Sequence, residues 1–119
     1  MAHKVVWFDV PVTDLDRAVR FYGAVLEVEI RRERPDMPIA VLAHAEGDVA
    51  GCLFRAQDDR PSDHGPLLYF NVDGRLEEAV AAAIEHGGRV LQPPHAIGAF
   101  GHRAIVLDSE GNRIALHSE

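Results

Sequence analysis

Alternating apolar and polar residues in two short stretches, VWFDVPV at 6–12 and LLYFNV at 67–72, predict a β-strand near the start of each half of the chain. Both stretches carry apolar side chains at their even-numbered positions. The odd-numbered positions are mixed, because they include Trp7 and Asp9 in the first stretch and Asn71 in the second. Each strand therefore has one face that suits a hydrophobic core and one that sets polar groups beside large apolar side chains.

A helix is predicted directly after each strand. In TDLDRAVRFYGAVL, residues 13–26, apolar side chains recur every three or four positions, and Thr13 with Asp16 resembles a capping box. In GRLEEAVAAAIEHGG, residues 74–88, a similar stripe ends before Gly87, the expected C-terminal cap. Further short strands are predicted at residues 28–30, 37–45 and 49–56 in the first half and at 89–92, 102–107 and 112–118 in the second.

The order of elements is the same in both halves, which indicates a duplicated βαβββ unit. We predict one domain, 1–119, with modules at 1–57 and 66–119 and an aperiodic connector at 58–65. The predicted fold class is α+β, with both modules forming a curved, eight-stranded mixed sheet, a cup, and the helices on its outer face. The helices cover the even-numbered strand positions, so the odd-numbered ones are expected to line a shared cleft. The alternative is that this face is a second core or a dimer surface.

The composition and charge of the chain exclude several classes of protein and several kinds of binding partner. A chain of 119 residues with 47% apolar and 26% charged side chains suits an ordinary globular domain. It contains neither an apolar run of ~20 residues nor a signal-peptide pattern, so we expect a cytoplasmic protein that does not span a membrane. The formal net charge of -7 argues against nucleic acid and anionic membranes as partners. The lone cysteine, Cys52, excludes an intramolecular disulfide.

The βαβββ plan, the segment TDLDRAVRFYGAVL and the closing GHRAIVLDSEGNRIALHS resemble the vicinal oxygen chelate superfamily. This superfamily includes glyoxalase I, extradiol dioxygenases, fosfomycin resistance enzymes and bleomycin-binding proteins. The segment YFNVDGRLEEAV is similar to its glyoxalase-like members. The resemblance implies a homodimer and a divalent metal held by His, Gln and Glu on four inward strand positions.

The four positions that correspond to the metal ligands of the superfamily are Trp7, Cys52, Leu67 and Ala115. None of these is a histidine or a carboxylate, and a catalytic metal requires about three nitrogen or oxygen ligands from the protein. We therefore predict no metal at this site and no cofactor.

The predicted inward face instead suits a small-molecule ligand, because it is aromatic and apolar with a few polar groups. This face contains Pro11, Ala115 and residues that we predict to bind the ligand. Phe100 also belongs to the predicted site, but it lies in the loop PPHAIGAFGH, residues 93–102. This loop either folds over the cleft as a lid or is a plain connector. The predicted ligand-binding residues are Trp7, Asp9, Cys52, Phe54, Leu67, Tyr69, Asn71, Phe100 and His117.

Asp9 is the candidate catalytic residue. Beside Trp7 and opposite Leu67, its carboxylate is expected to lose solvent and to act as a general base or as an anchor for the ligand. Alternatively, Asp9 pairs with an arginine such as Arg103 or caps local backbone.

Other candidates also have two interpretations. Cys52 is a nucleophile only with an activating base nearby and is otherwise an inert buried thiol. His117 orients the ligand or is simply exposed near the end of the sequence. Tyr69 and Asn71 donate hydrogen bonds to the ligand, or Tyr69 is ordinary wall packing.

Three functional hypotheses follow. The leading one is a glyoxalase-like or bleomycin-resistance-like protein that binds a small apolar or aromatic molecule without the metal of the superfamily. The alternative is a lyase, isomerase or epimerase that uses Asp9 as a base or a displaced metal site recruiting His117 and Glu119. A third is a subunit whose apolar face is covered by a partner.

Overall fold

The computed structural model describes residues 3–32, 34, 36–55 and 57–119. The predicted last residue of the fourth strand, Ala56, lies outside these residues. Within these residues, two α-helices and eight strands follow the order βαβββ twice, which confirms the predicted α+β fold of two modules. Among the described residues, neither helix has the length and apolar character needed to cross a membrane.

The first module contains β1 (Trp7–Pro11), α1 (Leu15–Leu26), β2 (Ile30–Arg31), β3 (Ile39–Leu42) and β4 (Ala50–Phe54). The second contains β5 (Leu68–Asn71), α2 (Leu76–Glu85), β6 (Arg89–Ala96), β7 (His102–Leu107) and β8 (Arg113–Ser118). Strand β6 is longer than predicted, because Pro93 and Pro94 are tolerated in an edge strand, and its register shifts between Gln92 and His95.

The strands hydrogen-bond as two four-stranded sheets, in the orders β1-β4-β3-β2 and β5-β8-β7-β6. In each sheet, the first strand of the module pairs in parallel with the last, and the other neighbours pair antiparallel. Both sheets are therefore mixed, as predicted. In the described residues, no strand of one sheet hydrogen-bonds to a strand of the other, so the cup consists of two sheets.

The helices begin and end close to the predicted residues. The N-cap of α1 is Asp14, one residue after the predicted Thr13, and its carboxylate accepts a hydrogen bond of 3.1 Å from the amide of Arg17. Helix α2 ends at Glu85, and Gly87 follows with a φ of 96°. This left-handed conformation explains why a glycine terminates the helix.

The two faces of β1 and β5 differ as their sequences predict. On the even-numbered side, Val10 and Phe70 are buried, and Phe8 packs edge-on against Phe70 with ring centroids 5.6 Å apart. On the odd-numbered side, Trp7 and Tyr69 are 45% and 48% exposed. The helices and the even-numbered faces thus form the core, and the odd-numbered faces remain available for a site.

Three residues of the turn between β7 and β8, Asp108, Glu110 and Asn112, join the second module to the first, and we call them the inter-module clasp. The buried carboxylate of Asp108 accepts hydrogen bonds from the hydroxyl of Tyr22 at 2.6 Å and from Nδ2 of Asn112 at 3.0 Å. Its other carboxylate oxygen accepts hydrogen bonds from the backbone amides of Glu110 and Asn112, each at 2.8 Å. Burial raises the pKa of Tyr22 well above its usual value, and the charge of Asp108 and the hydrogen bond from the Tyr22 hydroxyl to that carboxylate raise it further.

Glu110 completes the clasp at the N-terminus of α1. Its carboxylate accepts hydrogen bonds from the backbone amides of Thr13 and Asp14 at 2.9 and 2.8 Å. It also forms an ion pair with Arg17, with Nε and the carboxylate oxygen 2.7 Å apart. Burial by itself raises the pKa of Glu110, but the hydrogen bonds from Arg17, these amides and Ser109 outweigh burial and lower the pKa to about 2. The carboxylate therefore stays ionised and stabilises the helix end at neutral pH.

Candidate functional site

The odd-numbered face of the second sheet carries an open cavity of about 500 Å³. It is lined by Tyr69 of β5, Arg103 of β7, His117 of β8, and Ile97 and Phe100 of the loop between β6 and β7. Two aromatic rings and an aliphatic side chain provide apolar walls, while Arg103 and His117 provide polar groups. This volume and this mixture of residues suit a small organic ligand.

Arg103 and Tyr69 contact each other across β8, which lies between their strands. Nη1 of Arg103 donates a hydrogen bond to the hydroxyl of Tyr69, and the guanidinium carbon lies 5.9 Å from the centroid of its ring. Nε of Arg103 donates to Nε2 of His95 at 3.1 Å. These neutral partners fix the guanidinium at the cavity wall without neutralising its charge.

The side chain of His117 in β8 contacts the loop that carries Phe100, and a backbone hydrogen bond closes that loop on itself. Nε2 of His117 lies 2.5 Å from the carbonyl oxygen of Phe100, and the amide of Ile97 donates to the carbonyl of Gly101 at 2.8 Å. Because a carbonyl only accepts, Nε2 of His117 carries the proton. The side chain of Phe100 is 75% exposed beside the cavity, where the sequence predicts a lid.

Asp9 lies in a separate cluster on the first sheet. One of its carboxylate oxygens accepts hydrogen bonds from Nε1 of Trp7 at 2.7 Å and from Sγ of Cys52 at 3.3 Å. The expectation that Asp9 loses solvent is wrong, because β1 is an edge strand and the residue remains exposed. The alternative pairing with Arg103 is not formed either, since that guanidinium bonds Tyr69 and His95.

Cys52 is buried opposite Asp9, its register partner in the parallel pair of β1 and β4. Burial, followed by the hydrogen bond to Asp9 and the negative charge of that residue, raises the pKa of the Cys52 thiol to about 12. The thiol is therefore protonated at neutral pH, and this arrangement favours the inert buried cysteine over a nucleophile.

The remaining predicted residues are divided between other parts of the two sheets. Leu67 and Asn71 line a cavity of about 440 Å³ that Tyr69 shares. Phe54 is half-buried at the end of β4, and Ala115 is fully buried in β8. The cavity beside Phe100 thus brings together Tyr69, Phe100 and His117 of the predicted set, but the Asp9 cluster does not line it.

The positions that correspond to the metal ligands of the superfamily do not offer a metal-binding donor set. The indole nitrogen of Trp7 is a donor that bonds Asp9, and the Cys52 thiol is protonated at neutral pH. Leu67 and Ala115 have hydrocarbon side chains. These residues therefore do not fit the divalent ion that the superfamily implies at this place.

A different group of possible metal ligands lies next to the cavity. One ligand atom each of Asp73, His117 and Glu119 lies within 4.8 Å of the other two. One oxygen of Asp73 already accepts the amide of Glu119 at 2.8 Å. His117 belongs to both this group and the cavity lining, so the two arrangements are neighbours.

Two residues of the cavity lining, Ile97 and Arg103, are not among the ligand-binding residues that the sequence predicts. For Arg103 a usable signal exists, because side chains alternate between the two faces of a strand, so Arg103 and Ile105 lie on the face of β7 opposite to that of Ala104 and Val106. The parity that places Tyr69 on the odd-numbered face of the second sheet therefore also places Arg103 there, opposite His117 in the register. Ile97 lies in an irregular loop, for which the sequence provides no comparable pattern.

Comparison with solved structures identifies the same fold at low sequence identity. A glyoxalase/bleomycin resistance protein from Albidiferax ferrireducens is similar with a TM-score of 0.81 and 18% identity, covering 98% of this chain and 99% of that one. A glyoxalase-related enzyme from Fulvimarina pelagi gives a TM-score of 0.74 and 20% identity, covering 98% and 88%. A glyoxalase I mutant from Zea mays gives a TM-score of 0.68 and 23% identity, covering 94% of this chain but 45% of that one.

No curated protein matches the sequence. The sequence profile of the Glyoxalase/Bleomycin resistance protein/Dioxygenase superfamily, however, matches residues 4–116, which is nearly the whole chain. The duplicated βαβββ fold agrees with this match. The chain therefore belongs to the glyoxalase/bleomycin resistance protein/dioxygenase superfamily.

Proposed function

We propose that this protein binds a small molecule with an aromatic or otherwise apolar body, and that it does so without the metal of its superfamily. The observation that carries the proposal is the open cavity of about 500 Å³ between Tyr69, Ile97 and Phe100. Exposed aromatic side chains that surround a concave surface gain free energy when a ligand covers them. The site lies on the second sheet, so Trp7 and Phe54 are not its walls.

The side chains at the usual metal position of the superfamily favour binding over metal-dependent catalysis. Trp7, Cys52, Leu67 and Ala115 supply no set of nitrogen or oxygen ligands. Asp9 is occupied by the donors of Trp7 and Cys52. The aromatic cavity needs neither group, because apolar burial and a few oriented hydrogen bonds are sufficient for binding.

The neutral fluorescent aromatic 1-aminoanthracene tests the proposal. We expect saturable binding to the wild-type protein, and we expect Phe100→Ala to weaken it by at least about 10-fold, because burying one aromatic side chain contributes about 1.5–3 kcal/mol. Fluorescence titration measures the affinity. Ile84→Ala is the control, since Ile84 is similarly exposed, at 57%, on α2 and does not line the cavity. Absence of saturable binding, or equal affinity in both variants, would contradict the proposal.

A second candidate function is a lyase, isomerase or epimerase with a displaced metal site. The group of Asp73, His117 and Glu119 beside the cavity supports it, because a histidine nitrogen and carboxylate oxygens are ligands for several divalent metals. The same titration separates the two candidates. Binding of the dye should survive EDTA if the site is metal-free, whereas loss in EDTA and recovery with Mn²⁺ would favour the second candidate.

We also propose that two copies of the chain form a homodimer. Val5 and Val6 are 56% and 70% exposed just before β1, and β1 is an edge strand whose Trp7 is also exposed. An apolar segment beside an unpaired strand edge favours association. We expect sedimentation at micromolar concentration to give twice the monomer mass. Val6→Asp should give the monomer and Ile84→Asp the dimer; a monomeric wild type, or a dimeric Val6→Asp variant, would contradict this.

A further inference from the structure

We propose that the ligand of the Phe100 cavity carries one oxyanion, a carboxylate on an aromatic or apolar body, and that Arg103 recognises it. This inference rests on the proposed binding function and specifies its ligand class. It comes from the placement of a charged guanidinium in an otherwise apolar wall. The chain has a net charge of -7, so this local positive charge runs against its overall charge.

The charge of Arg103 is not matched by a carboxylate of the described residues. The described ion pairs of arginine join Arg17, Arg31, Arg32, Arg34 and Arg75 to carboxylates within 4.0 Å, and Arg103 is not among them. Its partners in the described residues are the hydroxyl of Tyr69 and the ring nitrogen of His95, both neutral acceptors. A half-buried cation with neutral partners lacks the counterion that would offset its loss of water.

Arg103 has N–H groups that Tyr69 and His95 do not use. A guanidinium has five N–H donors, and Arg103 uses one on Nε and one on Nη1. Its Nη2 has no partner in the described part of the chain. Two hydrogen bonds that hold Nε and Nη1 also fix the plane of the guanidinium, which is the condition for recognising a planar carboxylate in a defined orientation.

The cavity lining also indicates the body and the charge of the ligand. Tyr69, Ile97 and Phe100 provide the apolar contacts, and a single guanidinium matches a single acid group. Two carboxylates, Asp73 and Glu119, lie within 4.8 Å of a ligand atom of His117, but neither lines the cavity. They disfavour a second acid group at the His117 side, so the oxyanion belongs beside Arg103 and the apolar body beside Phe100.

The test compares 2-naphthoate with 2-naphthamide, which share the same rings and differ in charge. We expect wild-type protein to bind 2-naphthoate about 10- to 100-fold more tightly, as charge-assisted hydrogen bonds predict. Arg103→Gln should abolish this preference, because the affinity for 2-naphthoate should fall by that factor relative to the affinity for 2-naphthamide. Arg89→Gln is the control, because Arg89 is an exposed arginine of β6 outside the cavity lining. Isothermal titration calorimetry measures the affinities, and circular dichroism checks that each variant is folded.

The outcomes separate this inference from the proposed function. Equal affinities of wild-type protein for the two probes overturn the inference and leave the proposed function standing. Binding of neither probe overturns both. If Arg103→Gln fails to fold, Arg103→Lys takes its place; it keeps the charge without the planar fork and should retain part of the preference, whereas an undiminished preference contradicts recognition by the guanidinium.

Discussion

Replacement of Asp108 by alanine is expected to lower the free energy of unfolding by about 3–5 kcal/mol, because it leaves several buried donors without an acceptor. The Asp108 carboxylate accepts from the Tyr22 hydroxyl, from two amides and from the side chain of Asn112. Tyr22 is fully buried, so water does not replace the lost partner. In a domain of this size, the melting temperature should fall by roughly 10–20 °C. Urea unfolding followed by circular dichroism measures the change.

Two further variants give this prediction its controls. Tyr22→Phe removes one donor and keeps the others satisfied, so it should cost about 1–2 kcal/mol. Asp58→Ala removes an exposed carboxylate of the connector and should change stability by less than ~0.5 kcal/mol. A loss below about 1 kcal/mol in Asp108→Ala would contradict the role given to the inter-module clasp.

Replacement of Gly101 by alanine should both destabilise the fold and weaken ligand binding. Gly101 has φ 97° and ψ -136°, and an added Cβ would lie 2.4 Å from the carbonyl oxygen of Ser118 and 3.3 Å from Nε2 of His117. Neither the positive φ nor the backbone clash is relieved by a side-chain rotation. We expect a loss of about 2–4 kcal/mol in stability. Because Phe100 is displaced with the loop, affinity for 1-aminoanthracene should fall by about 10-fold.

Gly98→Ala is the matched control for this change. Gly98 also has a positive φ, 65°, but no atom lies within 4 Å of an added Cβ. The substitution therefore introduces only the left-handed strain, about 1 kcal/mol, and should leave dye binding nearly unchanged. If the two alanine variants were equally stable and bound the dye equally, the close contact with β8 would have no role in placing Phe100.

The fold was predictable from the sequence because its main signals are local. Strand parity in 6–12 and 67–72 identified the core faces, and apolar spacing identified both helices. The length of β6 was not predictable in this way, since Pro93 and Pro94 are compatible with a strand only at a sheet edge. Edge position depends on the strand order, which the sequence does not display.

The site was predictable only in part, for a related reason. Parity identifies the face of a strand that carries Asp9 or Tyr69, but not whether the odd-numbered faces of the two sheets meet. The parallel register of β1 and β4 places Asp9 opposite Cys52, and Tyr69 instead contacts Arg103 from two strands away. These contacts depend on register and on strand order, and both are long-range properties of the fold.

The inter-module clasp also has a consequence for how the chain folds during synthesis. Tyr22 and Asp108 are 86 residues apart, and Asp14 and Glu110 are 96 residues apart. The hydroxyl of Tyr22 and the start of α1 therefore wait for partners that are synthesised 86 and 96 residues later. Long-range contacts of this kind slow folding. The first module should consequently lack these hydrogen bonds as a nascent chain until the turn between β7 and β8 has been made, although its sequence repeats a complete structural unit.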